Sequence, residues 1–257
     1  MTQRQLGTIL ITGATGGIGN ALALHYAKPG VYLLLHGRNA DALKALADNC
    51  QAQGADVSTL VMDLRDIPAL QQWLAEITVT RLPDLVIANA GININNGINR
   101  RGETWQDIEA LLDLNVKSTF ALVNGLIPAM RKRGSGQLAL ISSLAAFYGL
   151  PITPSYCASK AAIKAYGEAL RGWLARDGIH VNVVMPGYIK SGMCDAMPGP
   201  KPFLMMPDKA ARIIATGLAR NQARISFPFP LNLGTWLLAV LPAALSLKIV
   251  RLLNYGG

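Results

Sequence analysis

The chain has 257 residues, 51% of them apolar, and carries 24 basic against 15 acidic side chains, a formal net charge of +9. That is ample for a large buried core, and α/β chains of this length often form one domain. No long basic run or basic-aromatic array concentrates the charge, so nucleic acid is not an expected partner, whereas anionic ligands or an anionic membrane surface are favoured.

The tightest basic cluster, Arg131, Lys132 and Arg133, reads as a solvated helix end. The three cysteines (Cys50, Cys157, Cys194) are odd in number and lack C-x-x-C spacing. They read as reduced thiols of a cytosolic protein, with no disulfide framework and no zinc site. His25, His36 and His180 are equally scattered, so no metal is expected.

The short polar N-terminus lacks a basic region followed by an apolar stretch and a cleavage site, so no signal peptide is expected. From there, short apolar runs alternate with longer amphipathic ones. Buried strands are predicted at 8–12, 31–36, 57–62, 85–89, 137–142 and 179–185, each bounded by Gly, Pro or Asn. Helices are predicted at about 17–28, 40–53, 66–77, 104–132 and 155–177. A further helix opens at Pro207, where proline suits the first turn, and runs to about Asn221. Residues 224–227 make one more strand. Repeated β-α alternation implies a parallel sheet with helices on both faces, joined by right-handed crossovers. The expected architecture is therefore one Rossmann-type doubly wound domain over 1–227, with a mostly seven-stranded parallel sheet. An apolar C-terminal helical extension, not an independent domain, follows over 228–257.

The first strand runs into Thr12-Gly13-Ala14-Thr15-Gly16-Gly17-Ile18-Gly19, and a helix follows at once. Glycines there permit a tight turn and close backbone approach to a pyrophosphate, which the helix N-terminus attracts with free N–H groups and a positive dipole end. A dinucleotide is the expected ligand. The second strand ends at His36-Gly37-Arg38, where NAD-binding folds place an acid on the adenosine ribose. An acid would repel a 2′-phosphate. Arg38 can pair with one through its planar fork, which favours NADP (NADPH) over NAD.

Tyr156 and Lys160 stand four apart in a helical region, on one face and one turn apart. A tyrosine hydroxyl is too weakly acidic for efficient proton transfer at neutral pH, and a neighbouring ammonium stabilises the phenolate. Ser143, at a strand end, can hydrogen-bond a substrate oxygen.

With these residues in hand, the chain resembles the classical short-chain dehydrogenase/reductase family over about residues 5–225. The glycine loop at 12–19, the Asn89-Ala90-Gly91 turn, and Ser143 thirteen residues before Tyr156 carry the likeness. So do Asp63 and Leu64 after the third strand, Asn115 within Leu114-Asn115-Val116, and Pro186-Gly187-Tyr188-Ile189. Ser191 takes the place of a usual threonine. The resemblance implies that Gly13, Thr15, Gly16, Gly17, Ile18, Gly19, Arg38, Asp63, Leu64, Asn89, Ala90, Gly91, Pro186, Gly187, Ile189 and Ser191 hold the cofactor, with Tyr156 and Lys160 at its nicotinamide end. It implies that Ser143, Tyr156 and Lys160 are catalytic and that Asn115 holds a water linking Lys160 to solvent. It also implies a homodimer or homotetramer built on the long helices, where Leu111, Phe120, Leu170 and Trp173 supply apolar positions. Two departures stand out. Gly16 occupies a position that is basic in many NADP-preferring members. The loop also fits the T-G-x-x-G-x-x-G spacing of the extended epimerase branch, although chain length and the N-A-G turn favour the classical one.

The implied reaction interconverts a carbonyl and a secondary alcohol by hydride transfer. Met193, with Met197, Phe203, Leu204, Met205 and Met206, makes an adaptable apolar cover over the substrate. An apolar or lipid-like substrate is expected, with a sugar or cell-envelope precursor as the alternative. A non-catalytic, membrane-docking dinucleotide-binding protein is the alternative of another class.

From 225 to 247 the chain carries no charge. Three readings of this stretch compete: a transmembrane helix, which Pro228, Pro230, Gly234 and Pro242 interrupt; internal packing over the pocket or at a subunit interface; or an interfacial helix pair. In the last, Lys248 and Arg251 reach anionic headgroups and Trp236 sits at the boundary. The expected location is accordingly cytoplasmic, with peripheral contact at the inner face of a membrane through 228–253.

Overall fold

A computed structural model describes residues 7–95 and 102–253. The first residues of the polar N-terminus and the last four of the C-terminal extension lie outside them. Seven strands form one sheet: β1 (Thr8–Ile11), β2 (Tyr32–Gly37), β3 (Asp56–Val61), β4 (Leu85–Ala88), β5 (Gly136–Ile141), β6 (Ile179–Pro186) and β7 (Arg224–Phe227). The order is β3-β2-β1-β4-β5-β6-β7, and every pairing is parallel.

Helices cover both faces. They are α1 (Gly17–Tyr26), α2 (Ala40–Ala52), α3 (Ile67–Thr80), α4 (Trp105–Leu112), α5 (Ser118–Arg133), α6 (Pro154–Leu174), the single-turn α7 (Gly192–Asp195) and α8 (Pro207–Ala219). The strand period of two assigns each side chain to a layer. Ile9 and Ile11 of β1 join Leu33 and Leu35 of β2 against Leu22, Leu43 and Ile214, so α1, α2 and α8 cover that face. Leu10, Leu34 and Val86 point the other way, onto Leu74, Leu126, Ile163 and Leu170 of α3, α5 and α6. Strands buried on both faces read as unbroken apolar runs, which is how β1 and β4 read.

Expectation and structure part at three places. β3 was expected to be buried; it is the sheet edge, and none of its six residues is buried. The predicted helix 104–132 is interrupted at Asp113–Lys117, which forms a π turn around Asn115. The Arg131 cluster is not simply solvated. Arg131 Nε meets Asp177 at 2.7 Å, and its guanidinium lies 4.4 Å from the Trp173 ring centre. Arg133 donates to the Leu82 and Pro83 carbonyls and pairs with Asp84.

The C-terminal stretch forms two helices, α9 (Leu231–Val240) and α10 (Ala243–Leu252), broken at Pro242. Each is ten residues long, about 15 Å, half of the ~30 Å hydrocarbon layer, so neither forms a span. The pair is tied by Ser246 Oγ, which donates to the Leu238 carbonyl at 2.8 Å. Ser246 and Val250 are the buried residues of α10, while α9 has none.

Candidate active site

β1 and β4 are neighbours, and from them the chain winds outward in both directions, so the sheet's switch point lies between their carboxyl ends. Open α/β sheets bind ligands at such a crevice. A cleft of about 980 Å³ opens there. It is reached from the ends of six strands: Gly13 after β1, Arg38 after β2, Leu64 after β3, Asn89 after β4, Ser143 after β5 and Gly187 after β6.

The glycine loop is locked by the turn after β4. Asn89 Nδ2 donates to the Thr12 and Gly13 carbonyls, each at 3.0 Å. Thr12 Oγ1 accepts the backbone N–H groups of Asn89 at 3.0 Å and Ala90 at 3.1 Å. Two glycines are sterically required. Gly13 has φ +62°, and a β-carbon there would come 2.9 Å from Ala90 Cα; one on Gly19 would come 2.3 Å from the Gly13 carbonyl. Gly19 thus lets helix and loop pack together, while Thr15, Gly16, Gly17 and Ile18 line the cleft. α1 begins without a capping side chain and without an acid in its first turn. Its first N–H groups are therefore left for an anion, as a pyrophosphate requires.

His36, unassigned by the sequence reading, supports the same loop. Nδ1 accepts from Gly13 N at 3.3 Å, which leaves Nε2 to donate to the Met62 carbonyl at 3.0 Å. Burial lowers its pKa, keeping the ring neutral. Arg38 is exposed at the cleft edge. Among the described residues lining the cleft there is no Asp or Glu, and Arg38 and Lys160 are its charged side chains. Asp63 does not line it. Arg65 holds that carboxylate at 2.5 Å and, with backbone help, lowers its pKa to about 2.

Ser143, Tyr156 and Lys160 all reach the cleft. Ser143 hydrogen-bonds the Tyr156 hydroxyl, and its Oγ also accepts from Ala145 N at 3.1 Å. Lys160 is buried, with Nζ 3.0 Å from the Ile141 carbonyl it donates to and 5.6 Å from the Tyr156 ring centre. Ser142 Oγ donates to the Lys160 carbonyl at 2.7 Å, so α6 is stitched to the end of β5 on both sides of that residue. Burial pushes the Tyr156 hydroxyl up to about 12 and the Lys160 ammonium down to about 8.

Asn115 is buried behind the cleft rather than lining it. Its Oδ1 accepts from Ile92 N at 2.8 Å, and its Nδ2 donates to the Ile92 carbonyl at 2.9 Å and to Ser159 Oγ at 3.1 Å. A β-carbon on Gly91 would lie 3.0 Å from Asn115 Oδ1 and 3.4 Å from Lys160 Nζ, so glycine keeps these two polar groups close. Sequence reasoning also missed Glu103. Its carboxylate accepts from Ser155 N at 3.3 Å and Ser155 Oγ at 2.5 Å, holding the first turn of α6 one residue from Tyr156. No local motif marks that long-range cap.

Pro186, Gly187, Ile189, Ser191 and Met193 line the far wall, as do Cys194 and Met197. Beyond Tyr156 the cleft is closed by Tyr148 and Leu150 and by Leu231, Leu238, Leu241 and Val250 of the C-terminal pair. Of the readings of that pair, internal packing over the pocket describes its inner side.

A family model described as short chain dehydrogenase matches residues 7–199. An uncharacterized oxidoreductase of Myxococcus xanthus is 34% identical over 243 residues, 94% of this chain and 95% of that protein. The 3-oxoacyl-[acyl-carrier-protein] reductase FabG of Rickettsia bellii is 32% identical, over 85% of this chain and 92% of its own length. Among solved structures, a short-chain dehydrogenase from Sphingobium yanoikuyae in complex with NADPH superposes with a TM-score of 0.80 at 27% identity, covering 88% of this chain and 89% of that one.

The buried lysine makes stability pH-dependent. The unfolded chain keeps the Lys160 proton up to about the ordinary 10.5, whereas the folded chain releases it from about 8. Between those values the unfolded state binds more protons, so this group adds stability as pH rises. The urea midpoint of the wild type should therefore rise relative to that of Lys160→Met between about pH 7.5 and about pH 9.5. A constant difference across that window would show that Lys160 is solvated.

Proposed function

Because the chain belongs to the short-chain dehydrogenase/reductase family of NAD(P)-dependent oxidoreductases, we propose that it interconverts a carbonyl and a secondary alcohol on an apolar or lipid-like substrate with NADPH. The observation that carries this reading is the meeting of Ser143, Tyr156 and Lys160 in a cleft whose other end is the glycine loop.

Bound NADPH supplies the hydride. The residues that would hold it fit a dinucleotide: an uncapped helix start, glycines that bring backbone to the surface, and Arg38 exposed at the edge of a cleft lined by no acid. Gly13, Thr15, Gly16, Gly17, Ile18 and Gly19 form or shape the phosphate loop; Leu64, Asn89, Ala90 and Gly91 flank it. Pro186, Gly187, Ile189 and Ser191 back the nicotinamide end. Asp63 acts there through its backbone, since its carboxylate is held by Arg65.

In reduction, Tyr156 donates its proton to the carbonyl oxygen as that oxygen gains negative charge. A hydroxyl at about 12 is fully protonated at neutral pH, which suits the donor. Lys160, cationic at neutral pH, stabilises the phenolate left behind. Ser143 orients and polarises the carbonyl. Asn115 positions Lys160 and Ser159 from behind and holds the water that returns the proton. A sugar substrate would need polar partners for several hydroxyls, and the wall beyond Tyr156 is chiefly Leu, Ile, Val and Met.

Tyr156→Phe keeps the ring and removes the acid. NADPH binding, followed by fluorescence, should stay near wild type, and ketone reduction should fall by about 10²-fold or more. Retained turnover would refute the role.

Arg38→Asp places a negative charge where the 2′-phosphate is expected to lie. The ratio of kcat/KM for NADPH over NADH should fall by about tenfold or more. An unchanged ratio, or a wild type that prefers NADH, removes Arg38 from that role.

The surface extends the reading to a homodimer or homotetramer in the cytoplasm, in peripheral contact with the inner face of a membrane. Of the apolar positions expected to face a second subunit, Leu111 and Leu170 are buried within the chain, while Trp173 is exposed, as is Trp105 on α4. Phe229, Leu233, Trp236, Val240, Leu245 and Leu252 are exposed at the C-terminal pair, beside Lys248 and Arg251 and no acid. An apolar face with cationic side chains complements anionic lipid. In sedimentation the protein alone should run as a dimer or tetramer, and it should pellet with anionic but not neutral vesicles. A monomer left wholly in the supernatant would defeat both parts.

A further inference from the structure

The inner face of α9 is a ruled edge along the cleft. Leu231, Gly234, Thr235 and Leu238, with Leu241 just beyond, line it at helical spacing. The ruler has a defined origin. Leu231 packs beside Leu144, the residue after Ser143, and against the Pro186-Gly187 turn: a β-carbon on Gly187 would come 3.1 Å from Leu231 Cδ2 and 3.4 Å from Leu144 Cδ1. Along α9, Gly234 therefore stands about 5 Å from Leu231, Leu238 about 10 Å and Leu241 about 15 Å, at 1.5 Å per helical residue.

Gly234 has no packing reason to be glycine. Some helical glycines admit a neighbour: a β-carbon on Gly125 would come 2.7 Å from Leu74, and on Gly167 2.6 Å from Val183, whereas Gly172 of α6 has open space around it but does not line the cleft. At Gly234 it would meet nothing within 4 Å, and the backbone there does not need a positive φ. Glycine is also the poorest helix former after proline. What its missing side chain leaves is open space at the cleft, one turn along α9 from Leu231, in a wall without charge.

We propose that Gly234 is the specificity-determining residue of this site. It admits a carbonyl compound bearing a long unbranched alkyl or acyl chain, which lies along α9 with its carbonyl at Tyr156. The inference rests on the catalytic reading above and adds the substrate class. Uncharged walls and an edge about 15 Å long match such a chain; a compact or polar substrate would leave the apolar edge unused.

The test is a chain-length series, the methyl ketones from butanone to tetradecan-2-one, with NADPH and the full chain. In the wild type, kcat/KM should rise with length. Gly234→Leu should leave butanone within about twofold and lower dodecan-2-one by about tenfold or more, since blocking a few methylenes costs that much in an apolar pocket. Gly234→Ala should fall between them with a melting temperature no lower than wild type. Leu238→Phe, one turn further out, should spare mid-length ketones that Gly234→Leu rejects, and it carries the test if the leucine variant does not fold. Equal loss on short and long ketones, or no rise with length in the wild type, overturns the proposal. If no ketone is turned over, the catalytic reading fails separately, and calorimetry of dodecan-2-one on the NADPH complex still decides. Binding about tenfold weaker in Gly234→Leu supports the proposal, and equal binding defeats it.

Discussion

At the carboxyl ends of β1 and β4, four hydrogen bonds join Asn89 and Ala90 to Thr12 and Gly13. Each is of ordinary length and none is local in sequence. Without them a glycine-rich turn would sample many conformations, because glycine loses the most backbone freedom on ordering. With them the loop is fixed before any ligand arrives. Asn89 thus sets the shape of the glycine loop from the neighbouring strand. The same β4 turn continues through Gly91 to Ile92, whose backbone is held by Asn115, whose amide in turn reaches Ser159 on α6. One chain of polar contacts runs from the glycine-loop end of the cleft to the helix that bears Tyr156 and Lys160.

Most of this was legible because it is local. Strand-loop-helix order around Gly13, the four-residue spacing of Tyr156 and Lys160, and the alternation of strands with helices are written in adjacent residues. What was not legible depends on partners far away. Val57, Leu60 and Val61 look like core, yet β3 lies at the sheet edge, and edge or centre is a property of strand order. Arg131 and Arg133 look like a charged helix end, yet they meet Asp177 and Asp84 across the fold. Asp63 was expected at the cofactor with its carboxylate free, and that carboxylate pairs with Arg65, as any surface arginine two residues on can arrange. Glu103 gave no sign, since a carboxylate caps a distant helix without any motif of its own.

The C-terminal stretch was ambiguous for a different reason. A helix apolar on one side announces its orientation, but α9 is apolar nearly all round, so periodicity cannot say which side faces in. The prolines did mark where the run breaks, and the structure uses them so: two short helices rather than one long one. The inward side serves the cleft while the outward side stays exposed.

Lys160 illustrates how unevenly the site is built. Its ammonium is anchored on the Ile141 carbonyl and its own carbonyl on Ser142, so moving Lys160 relative to Ser143 would mean prising a helix from the central sheet. By contrast, α9 buries none of its residues and is joined to the rest by few bonds. Beyond Leu231, which packs with Val183 and Met185 of β6, mutations in α9 leave the sheet's core contacts intact, whereas mutations near β5 and α6 strike them directly. Natural drift in such a molecule runs along one margin. Descendants of this chain can remodel that side of the cleft while inheriting the packing of α6 on β5 untouched.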